Sequence, residues 1–559
     1  MTIQRLPLLQ GLGLATLALA WSMPGHYVPW VAFQQQWMAC CGLLLIALSL
    51  SVGDLRRWPI RSPWLAWLPL AMAPIPWIQW GVGQVRFVSD ALIPSLFLVG
   101  FAVSLVVGNT LDDARGNRWR DALTLTLTWG ALVASAAAIV QWLELGPVSY
   151  VNDLAPGGRP YANLSQPNHL ATLLSMGLAG VLYGYETKRF TGTTTAIATL
   201  WFGFFLVMTQ SRTAWLLVLI SVIWWWTMRR RCNLRVTGVG VAVFVTLFVL
   251  AILGRESLNE ALRLTLDDGA ERMGHRDRLA IWAVLADAAA RSPWVGYGWN
   301  QVAHAQLIAA ADHPAVGELF GNSHNIVLDL VLWMGIPLGL LVTLLVVLWF
   351  IGIARRCKNG NDWTLMIAIA AISVHAMLEY PLDYSYFLVP LGLLMGTVHG
   401  HREERPAGLQ AQWLAAPVAA LAGMLIWIGV EYIRVEEAAR QLRFVLAGVG
   451  VDKVPYVAPP EVRLLDGPRE FHRFWNTPAR AAMPAADVDW MRDVVERNPE
   501  RQAMLRYALA AGLNGRAADA ASTLTALCKL RSSRLCSQSR QFWAEAQSLN
   551  PPLRNIPFP

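Results

Sequence analysis

The chain has 559 residues, of which 55% are hydrophobic and only 15% are charged, and its mean hydropathy is +0.40. A soluble domain carries about 25% charged residues, so this composition excludes an ordinary soluble protein. The 27 tryptophans also indicate an integral membrane protein, because tryptophan collects at membrane interfaces. The net charge of +8 does not indicate nucleic-acid binding, because most Arg and Lys residues fall in short clusters between apolar runs.

Apolar runs suited to membrane-spanning helices, which need about 20 residues each, follow one another from the N-terminus. We therefore predict an all-α polytopic membrane protein with about 12 or 13 transmembrane helices. The first run has no convincing cleavage site and is interpreted as a span or signal anchor. The candidate spans are residues 6–23, 36–52, 63–81, 88–109, 121–142, 168–185, 193–209, 212–228, 236–253, 330–353, 363–380, 384–399 and 412–432.

Basic residues alternate between the loops that join these spans. With Arg5 inside, the inside loops hold nearly all the clustered Arg and Lys, whereas the short outside loops hold only Arg86, Arg159 and Arg212. This asymmetry fixes the expected orientation. It predicts a bacterial inner-membrane protein whose site and C-terminal domain face the periplasm. The expected domains are an N-terminal bundle (1–253), a large periplasmic loop (254–329), further spans (330–432) and a periplasmic helical domain (433–559).

Both long polar stretches contain helical patterns. Apolar residues at helical spacing predict an amphipathic helix over 278–290 on the membrane surface, with Arg278 on the same face as a membrane-facing Trp282. In the C-terminal stretch, two helices joined at Gly512–Gly515 form either one tetratricopeptide-like hairpin or a generic helical hairpin. Cys528 and Cys536 are close enough in sequence for a disulfide in an oxidising compartment, the alternative being two free thiols.

Five separate segments place polar side chains at the expected outer face. They are 159–171, 209–215, 274–282, 321–337 and 375–387. Arginine binds phosphate oxygens bidentately, and histidine can accept a proton near neutral pH. The set predicts a site that holds a lipid-linked pyrophosphate and activates a hydroxyl. The outer loops show no acidic cluster with metal-ligand spacing, so we expect a reaction without metal or cofactor.

These same segments resemble a known family. "YANLSQPNHLATLL", "SRTAW", Arg278 in an Arg-x-x-x-Trp element, "SHNIVLDLVLWMGIPLG" and "EYPLDYSYFLVPLGLLMG" resemble elements of the O-antigen ligase-like and Wzy polymerase superfamily of membrane glycosyltransferases, which has a GT-C-like fold. Within it, the first motif is most similar to the bacterial protein O-oligosaccharyltransferases that glycosylate pilins. The resemblance covers most of the chain from about residue 150 onward.

The resemblance implies en bloc transfer of a glycan from undecaprenyl pyrophosphate to a Ser or Thr hydroxyl of an acceptor protein such as a pilin. It implies that His324 is the base or orients the acceptor. Pyrophosphate ligands are expected at Arg212 and Arg278, with Arg276 as a rival to Arg278 and Arg86 as a weaker candidate. Residues expected to position the substrates are Gln166, Asn168, His169, Asn163, Asn325, Tyr380 and Glu379.

Two other functions remain open. A superfamily member could instead ligate O-antigen to lipid A–core or polymerise O-antigen repeats; the motif at 161–169 and the long C-terminal stretch argue against both. A transporter of lipid-linked glycans is a different class. Transporters commonly show repeated halves and polar residues near the midplane, whereas the candidate residues here gather at one face.

Overall fold

The computed structural model describes residues 7–25, 27–265, 275–400, 409–447 and 457–559, with the side chains of 275–277 left out. Within these ranges the chain is helical and forms no β-strand; Pro59 and Gln410 make one isolated bridge. The prediction of an all-α polytopic membrane protein is confirmed. Six described helices are long and apolar enough to cross a membrane, and four shorter apolar helices accompany them.

The helices up to the large polar loop are α1 Leu8–Ala20, α2 Phe33–Ser51, α3 Trp67–Met72, α4 Ile75–Gly81, α5 Val88–Arg115, α6 Asn117–Trp142, α7 Pro167–Glu186, α8 Gly192–Met208, α9 Arg212–Met228 and α10 Gly238–Ala261. The remaining helices are α11 His275–Arg291, α12 Val302–Ala309, α13 Ile326–Met334, α14 Ile336–Arg356, α15 Gly360–Ala376, α16 Ser385–His399, α17 Ala415–Leu446, α18 Asp466–Asn476, α19 Ala485–Arg497, α20 Arg501–Leu513, α21 Ala517–Leu530 and α22 Ser533–Leu549.

The expected span at 63–81 is not one helix. The structure has a short 3₁₀ turn, then α3 and α4, with a break at residues 73–74. Pro74 and Pro76 disfavour a continuous helix, because proline lacks a backbone N–H and restricts the residue before it. The side chain of Gln79 on α4 is buried and hydrogen-bonds the carbonyl of Trp333 and the N–H of Trp299. The buried amide thus donates one tertiary hydrogen bond and accepts another, and the two bonds hold this helix inside the protein.

The chain divides into two compact units. The first unit contains residues 1–72, 97–271 and 346–427, and the second contains residues 73–96, 272–345 and 428–559. Each unit draws on distant parts of the sequence.

Helix α7 is the central helix of the first unit, packing against α6, α8, α9 and α15. Gly177 and Gly180, three residues apart on one face, allow α6 to approach closely. A Cβ atom at Gly180 would lie 2.6 Å from the carbonyl oxygen of Thr124 on α6. Near the start of α6, Arg120 donates to Asp112 on α5 at 2.6 and 3.1 Å and to Asp362 on α15 at 2.8 Å. These bonds join three helices.

In the second unit, the C-terminal helices pack around Trp543, Phe474 and Met491, which are fully buried. The predicted hairpin is present as α20 and α21, and a disulfide joins Cys528 to Cys536. Arg497 on α19 makes two hydrogen bonds, at 2.8 and 3.0 Å, to Asp90 at the start of α5. This bidentate pair attaches the C-terminal helices to α5.

The close approach of α6 and α7 gives a stability prediction. Gly180→Ala places a methyl group against backbone that cannot move freely, and overpacking of this kind costs about 1–3 kcal/mol. The matched change Gly254→Ala lies on α10, where the added Cβ would have no neighbour within 4 Å. In detergent, the unfolding midpoint of Gly180→Ala should fall, whereas that of Gly254→Ala should stay equal or rise. Equal midpoints for the two variants would contradict the packing described.

Candidate functional site

The loop that leads into α7 is shaped by the buried side chain of Gln141. Its Oε1 accepts hydrogen bonds from the N–H groups of Tyr161 and Ala162, and its Nε2 donates to the carbonyls of Asn152 and Ala162. These bonds hold Ala162 at φ 54°, and Ser165 also has a positive φ of 58°. Non-glycine residues rarely adopt this left-handed conformation. The loop is therefore fixed in an unusual shape by its surroundings.

Asn163, expected to position substrate, lies inside this loop and is 3% exposed. Its Nδ2 donates to the carbonyls of Ser22 and Tyr150, and its Oδ1 accepts from the N–H of Asn152. The amide thus bonds backbone groups on both sides of the loop. Its contribution to any bound substrate would be indirect, through the shape of 160–166.

Helix α7 begins at Pro167, with Gln166 half-buried as its N-cap residue. Asn168 Nδ2 donates to Glu379 Oε1 at 3.3 Å, and the buried His169 Nδ1 lies 3.1 Å from the Tyr386 hydroxyl. One turn further along the helix, the Thr172 hydroxyl lies 2.8 Å from His375 Nδ1. The structure thus brings together two segments that the sequence separates by about 200 residues, and with them three predicted residues: Asn168, His169 and Glu379.

Aromatic rings extend this cluster toward the surface. The ring of Tyr384 lies 4.6 Å from that of His169, edge-on, and stacks with Tyr380 at 6.1 Å. Burial, followed by the charges of Glu379 and Asp383, raises the pKa of Tyr380 to about 12. Tyr380 therefore keeps its proton at neutral pH and can donate a hydrogen bond to an anionic or carbonyl oxygen.

Arg212 is the first residue of α9 and is exposed. The preceding Ser211 caps the helix by accepting from the N–H of Ala214. Arg159 Nε donates to the carbonyl of Thr209 at 2.9 Å, which joins the loop before α7 to the turn before α9. No ion pair within the described ranges involves Arg212. Its guanidinium is thus presented at a helix N-terminus, which itself favours anions.

The second unit contains the other predicted centre, the loop around His324. Trp282 Nε1 donates to the carbonyl of Ser323 at 2.8 Å, directly before His324. Ser323 N–H donates to Asp329 Oδ1 at 2.8 Å, and Asn325 caps α13 by accepting from the N–H groups of Val327 and Leu328. His324 itself has φ 57°. Bonds on both sides of His324 therefore hold it in a left-handed turn.

The same geometry gives Trp282 a partner within the protein. Its side chain, expected to face the membrane, is half-buried, and its indole N–H is bonded to the His324 loop. Arg278 precedes Trp282 by four residues on α11, so the two lie on one face of the helix. The arginine-bearing helix and the histidine-bearing loop are thereby connected. The side chain of Arg276 lies outside the described part of the chain.

Arg86 has carboxylate neighbours in the second unit. Its guanidinium lies 3.5 Å from Asp493 and 3.5 Å from Glu496, both on α19. A phosphate contact from Arg86 would have to replace or share these pairs. The arginine and two acidic residues instead join the segment before α5 to the C-terminal helices.

Several contributing residues were not singled out from the sequence. His375 and Tyr386 complete the cluster around His169, and Asp329 holds the His324 loop. Trp282 was singled out only as a membrane-facing residue, not as a partner of that loop. A histidine or an aspartate within an apolar stretch is a recognisable signal, because polar groups in such segments are costly unless they have a partner. Nothing in the sequence indicated the hydrogen bond of Trp282, because tryptophan is common at membrane surfaces.

Three family models match consecutive parts of the chain. "Protein glycosylation ligase" matches residues 160–183, "O-Antigen ligase" matches 197–343, and "Virulence factor membrane-bound polymerase, C-terminal" matches 363–530. The chain is 34% identical over 404 residues to a general O-oligosaccharyltransferase of Acinetobacter baylyi, covering 70% of both chains. The chain belongs to the O-oligosaccharyltransferase family. It is therefore a membrane-bound glycosyltransferase.

A second relative from Acinetobacter baylyi, named a ComP-specific O-oligosaccharyltransferase, is 31% identical over 367 residues, or 64% of each chain. The O-Antigen ligase match includes Arg212, Arg278 and His324, and the protein glycosylation ligase match includes Gln166, Asn168 and His169. The family suspected from the motifs is confirmed by these comparisons.

The buried carboxyl group of Asp329 gives a pH prediction. Burial raises its pKa from 3.8 to about 6. Between these two pKa values the carboxyl is ionised in the unfolded chain but still protonated in the folded chain. The free energy of unfolding therefore falls as the pH rises through this range. Asp329→Asn keeps an acceptor for Ser323 N–H but does not titrate. The unfolding midpoint of the variant should therefore exceed that of the wild type by more at about pH 7.5 than at about pH 4.5. The same difference at both pH values would contradict a buried, titrating Asp329.

Proposed function

We propose that this glycosyltransferase moves a preassembled glycan en bloc from undecaprenyl pyrophosphate to a Ser or Thr hydroxyl of an exported protein, with pilins as the expected acceptor class. Membership in the O-oligosaccharyltransferase family supports this proposal, as does the name of each relative. The supporting observation within the structure is the bond from Trp282 to Ser323, which connects the Arg278 helix to the His324 loop.

In the proposed reaction, His324 accepts the proton of the acceptor hydroxyl. The hydroxyl oxygen then attacks the anomeric carbon, the bond from that carbon to the pyrophosphate oxygen breaks, and the pyrophosphate leaves with the bonding electrons. Arg212 and Arg278 stabilise the charge that develops on it, since guanidinium groups bind phosphate oxygens bidentately. The O–H bond breaks as the imidazole of His324 takes the proton, and the new C–O bond forms as the bond to the pyrophosphate oxygen breaks. No redox step is needed.

The cluster at the start of α7 is proposed to position the substrates. Asn168 and Glu379 are already hydrogen-bonded to each other, so their remaining donor and acceptor atoms have fixed directions. Gln166 at the N-cap and the protonated hydroxyl of Tyr380 add further polar groups on the same unit. Asn325 would act on His324 through the cap of α13.

The proposed location is the bacterial inner membrane, with both centres and the C-terminal helices facing the periplasm. The alternating basic loops support this orientation. It is the side on which an exported acceptor and a flipped lipid-linked donor are both present.

A second candidate function is ligation of the glycan to a lipid acceptor. The match of residues 197–343 to the O-Antigen ligase model favours it, and that stretch includes Arg212, Arg278 and His324. The two functions would share the donor chemistry and differ in the acceptor. The assay below therefore offers both acceptors.

The test uses the purified full-length chain in detergent with an undecaprenyl-pyrophosphate-linked oligosaccharide. A pilin-type protein and a lipid A–core acceptor are supplied in separate reactions, and mass spectrometry follows the glycan. We expect glycan on Ser or Thr of the protein only. Glycan on lipid A–core alone would favour the ligase, and no transfer without a sealed compartment would favour a transporter.

In the same assay, His324→Ala should lower the transfer rate by about 10²- to 10⁴-fold, the usual contribution of a general base. The matched control is His313→Ala, because His313 also lies in the second unit but pairs with Asp287 at 2.9 Å. The control should retain the wild-type rate, and both variants should keep the wild-type unfolding midpoint. A His324→Ala protein with near-normal activity would remove His324 from the chemistry.

A further inference from the structure

An apolar crevice lies between α9, α14 and α15 in the first unit, away from the polar clusters described above. Its volume is about 290 Å³, and residues that line it include Ile220, Trp224, Phe350, Ala354, Met366 and Ile367. The indole N–H of Trp224 donates to the carbonyl of Trp363 at 3.4 Å. The tryptophan is therefore held across the crevice wall by a bond to α15.

Arginines follow the crevice-lining segments of α9 and α14, and Arg231 donates a hydrogen bond to the backbone carbonyl of Arg355. Arg230 and Arg231 follow α9, and Arg355 and Arg356 end α14; all four are exposed. Ala354, which lines the crevice, immediately precedes Arg355. Trp224 is six residues before Arg230, or roughly 9 Å along a helix at 1.5 Å per residue. The apolar lining and the positive charge are therefore about two helical turns apart at most.

The nearby acidic side chains have other partners. Asp362 accepts from Arg120, and the carboxylate of Glu186 accepts from the N–H groups of Arg235 and Val236. Among the residues that the structure describes, no ion pair involves the four arginines around the crevice. A neighbouring arginine, Arg229, instead stacks over the ring of Trp226 at 4.0 Å. The crevice end is thus strongly positive.

We propose that this crevice binds an anionic phospholipid, with an acyl chain between α9, α14 and α15 and the phosphate at Arg355 and Arg356. An apolar cavity does not hold water favourably, and at membrane depth the available apolar material is the hydrocarbon of lipids. Basic residues near a membrane surface attract anionic headgroups, and arginine matches the geometry of a phosphate. Charge complementarity therefore selects an anionic lipid over a zwitterionic one.

A lipid in this crevice would support helix α9 along the part that lines it. Helix α9 carries Trp224 near one end and begins with Arg212 at the other. Filling the gap beside α9 restores van der Waals contacts that an empty cavity lacks. The lipid would therefore support the part of α9 around Ile220 and Trp224 against the crevice-lining residues of α14 and α15.

The experiment measures which lipids stay bound. The full-length protein is reconstituted in nanodiscs containing equal phosphatidylglycerol and phosphatidylcholine, released into detergent, and examined by native mass spectrometry. The wild type should retain phosphatidylglycerol preferentially, by about tenfold or more. The double variant Arg355→Gln/Arg356→Gln should lose most of this preference, because each basic residue contributes about fivefold. Ala354→Trp, which fills the crevice, should reduce retention of the lipid itself.

The matched control is Arg56→Gln/Arg57→Gln, which removes two exposed arginines from another basic loop and should leave retention unchanged. Equal retention of both lipids by the wild type would overturn the proposal, as would an equal loss in the control variant or unchanged retention in Ala354→Trp. Selective retention of added undecaprenyl phosphate would assign the crevice to a polyprenyl chain instead. A mass of two protein chains without bound lipid would indicate that a second copy of the chain covers the crevice. These outcomes do not depend on glycan transfer.

Discussion

The hydrogen bond from the indole N–H of Trp282 to the carbonyl oxygen of Ser323 is the interaction on which the proposed site most depends. It joins segments 41 residues apart, one carrying Arg278 and the other His324. A buried carbonyl needs a donor, and here the donor comes from the helix that also carries the candidate phosphate ligand. The position of His324, the candidate base, and the position of the helix that carries Arg278 are therefore coupled through one bond.

Each unit, taken by itself, uses buried polar groups to fix strained backbone in a loop that carries candidate residues. In the first unit, Gln141 and Asn163 bond the backbone of the loop before α7, where Ala162 has a positive φ. In the second, Ser323 N–H bonds the carboxylate of Asp329, and His324 has the positive φ. Strained residues persist only where their surroundings determine them, and such residues cluster at functional sites. In both loops, a buried polar side chain bonds the backbone close to a residue with a positive φ.

Much of the helical framework followed from the sequence, because long apolar runs and alternating basic loops are strong signals. Most expected spans correspond to helices within a few residues, and the helix at 278–290 is present as α11. The run at 63–81 was wrong as one span, because hydropathy does not register that prolines break it or that Gln79 bonds Trp299 and Trp333. The residues of the candidate site were found through motifs, but their partners were not. The bonds of Trp282 and His375 join segments 41 and 203 residues apart, and composition carries no record of such contacts.

The most direct test of this account is the transfer rate of Trp282→Phe, which keeps an aromatic ring but removes the N–H donor. Trp294→Phe is the control, because Trp294 is 78% exposed in the same unit. With a lipid-linked donor and a protein acceptor, we predict a transfer rate at least about tenfold lower for Trp282→Phe, since small displacements of catalytic groups are costly, and an unchanged rate for the control. A wild-type rate in Trp282→Phe would show that the Arg278 helix and the His324 loop do not depend on this bond.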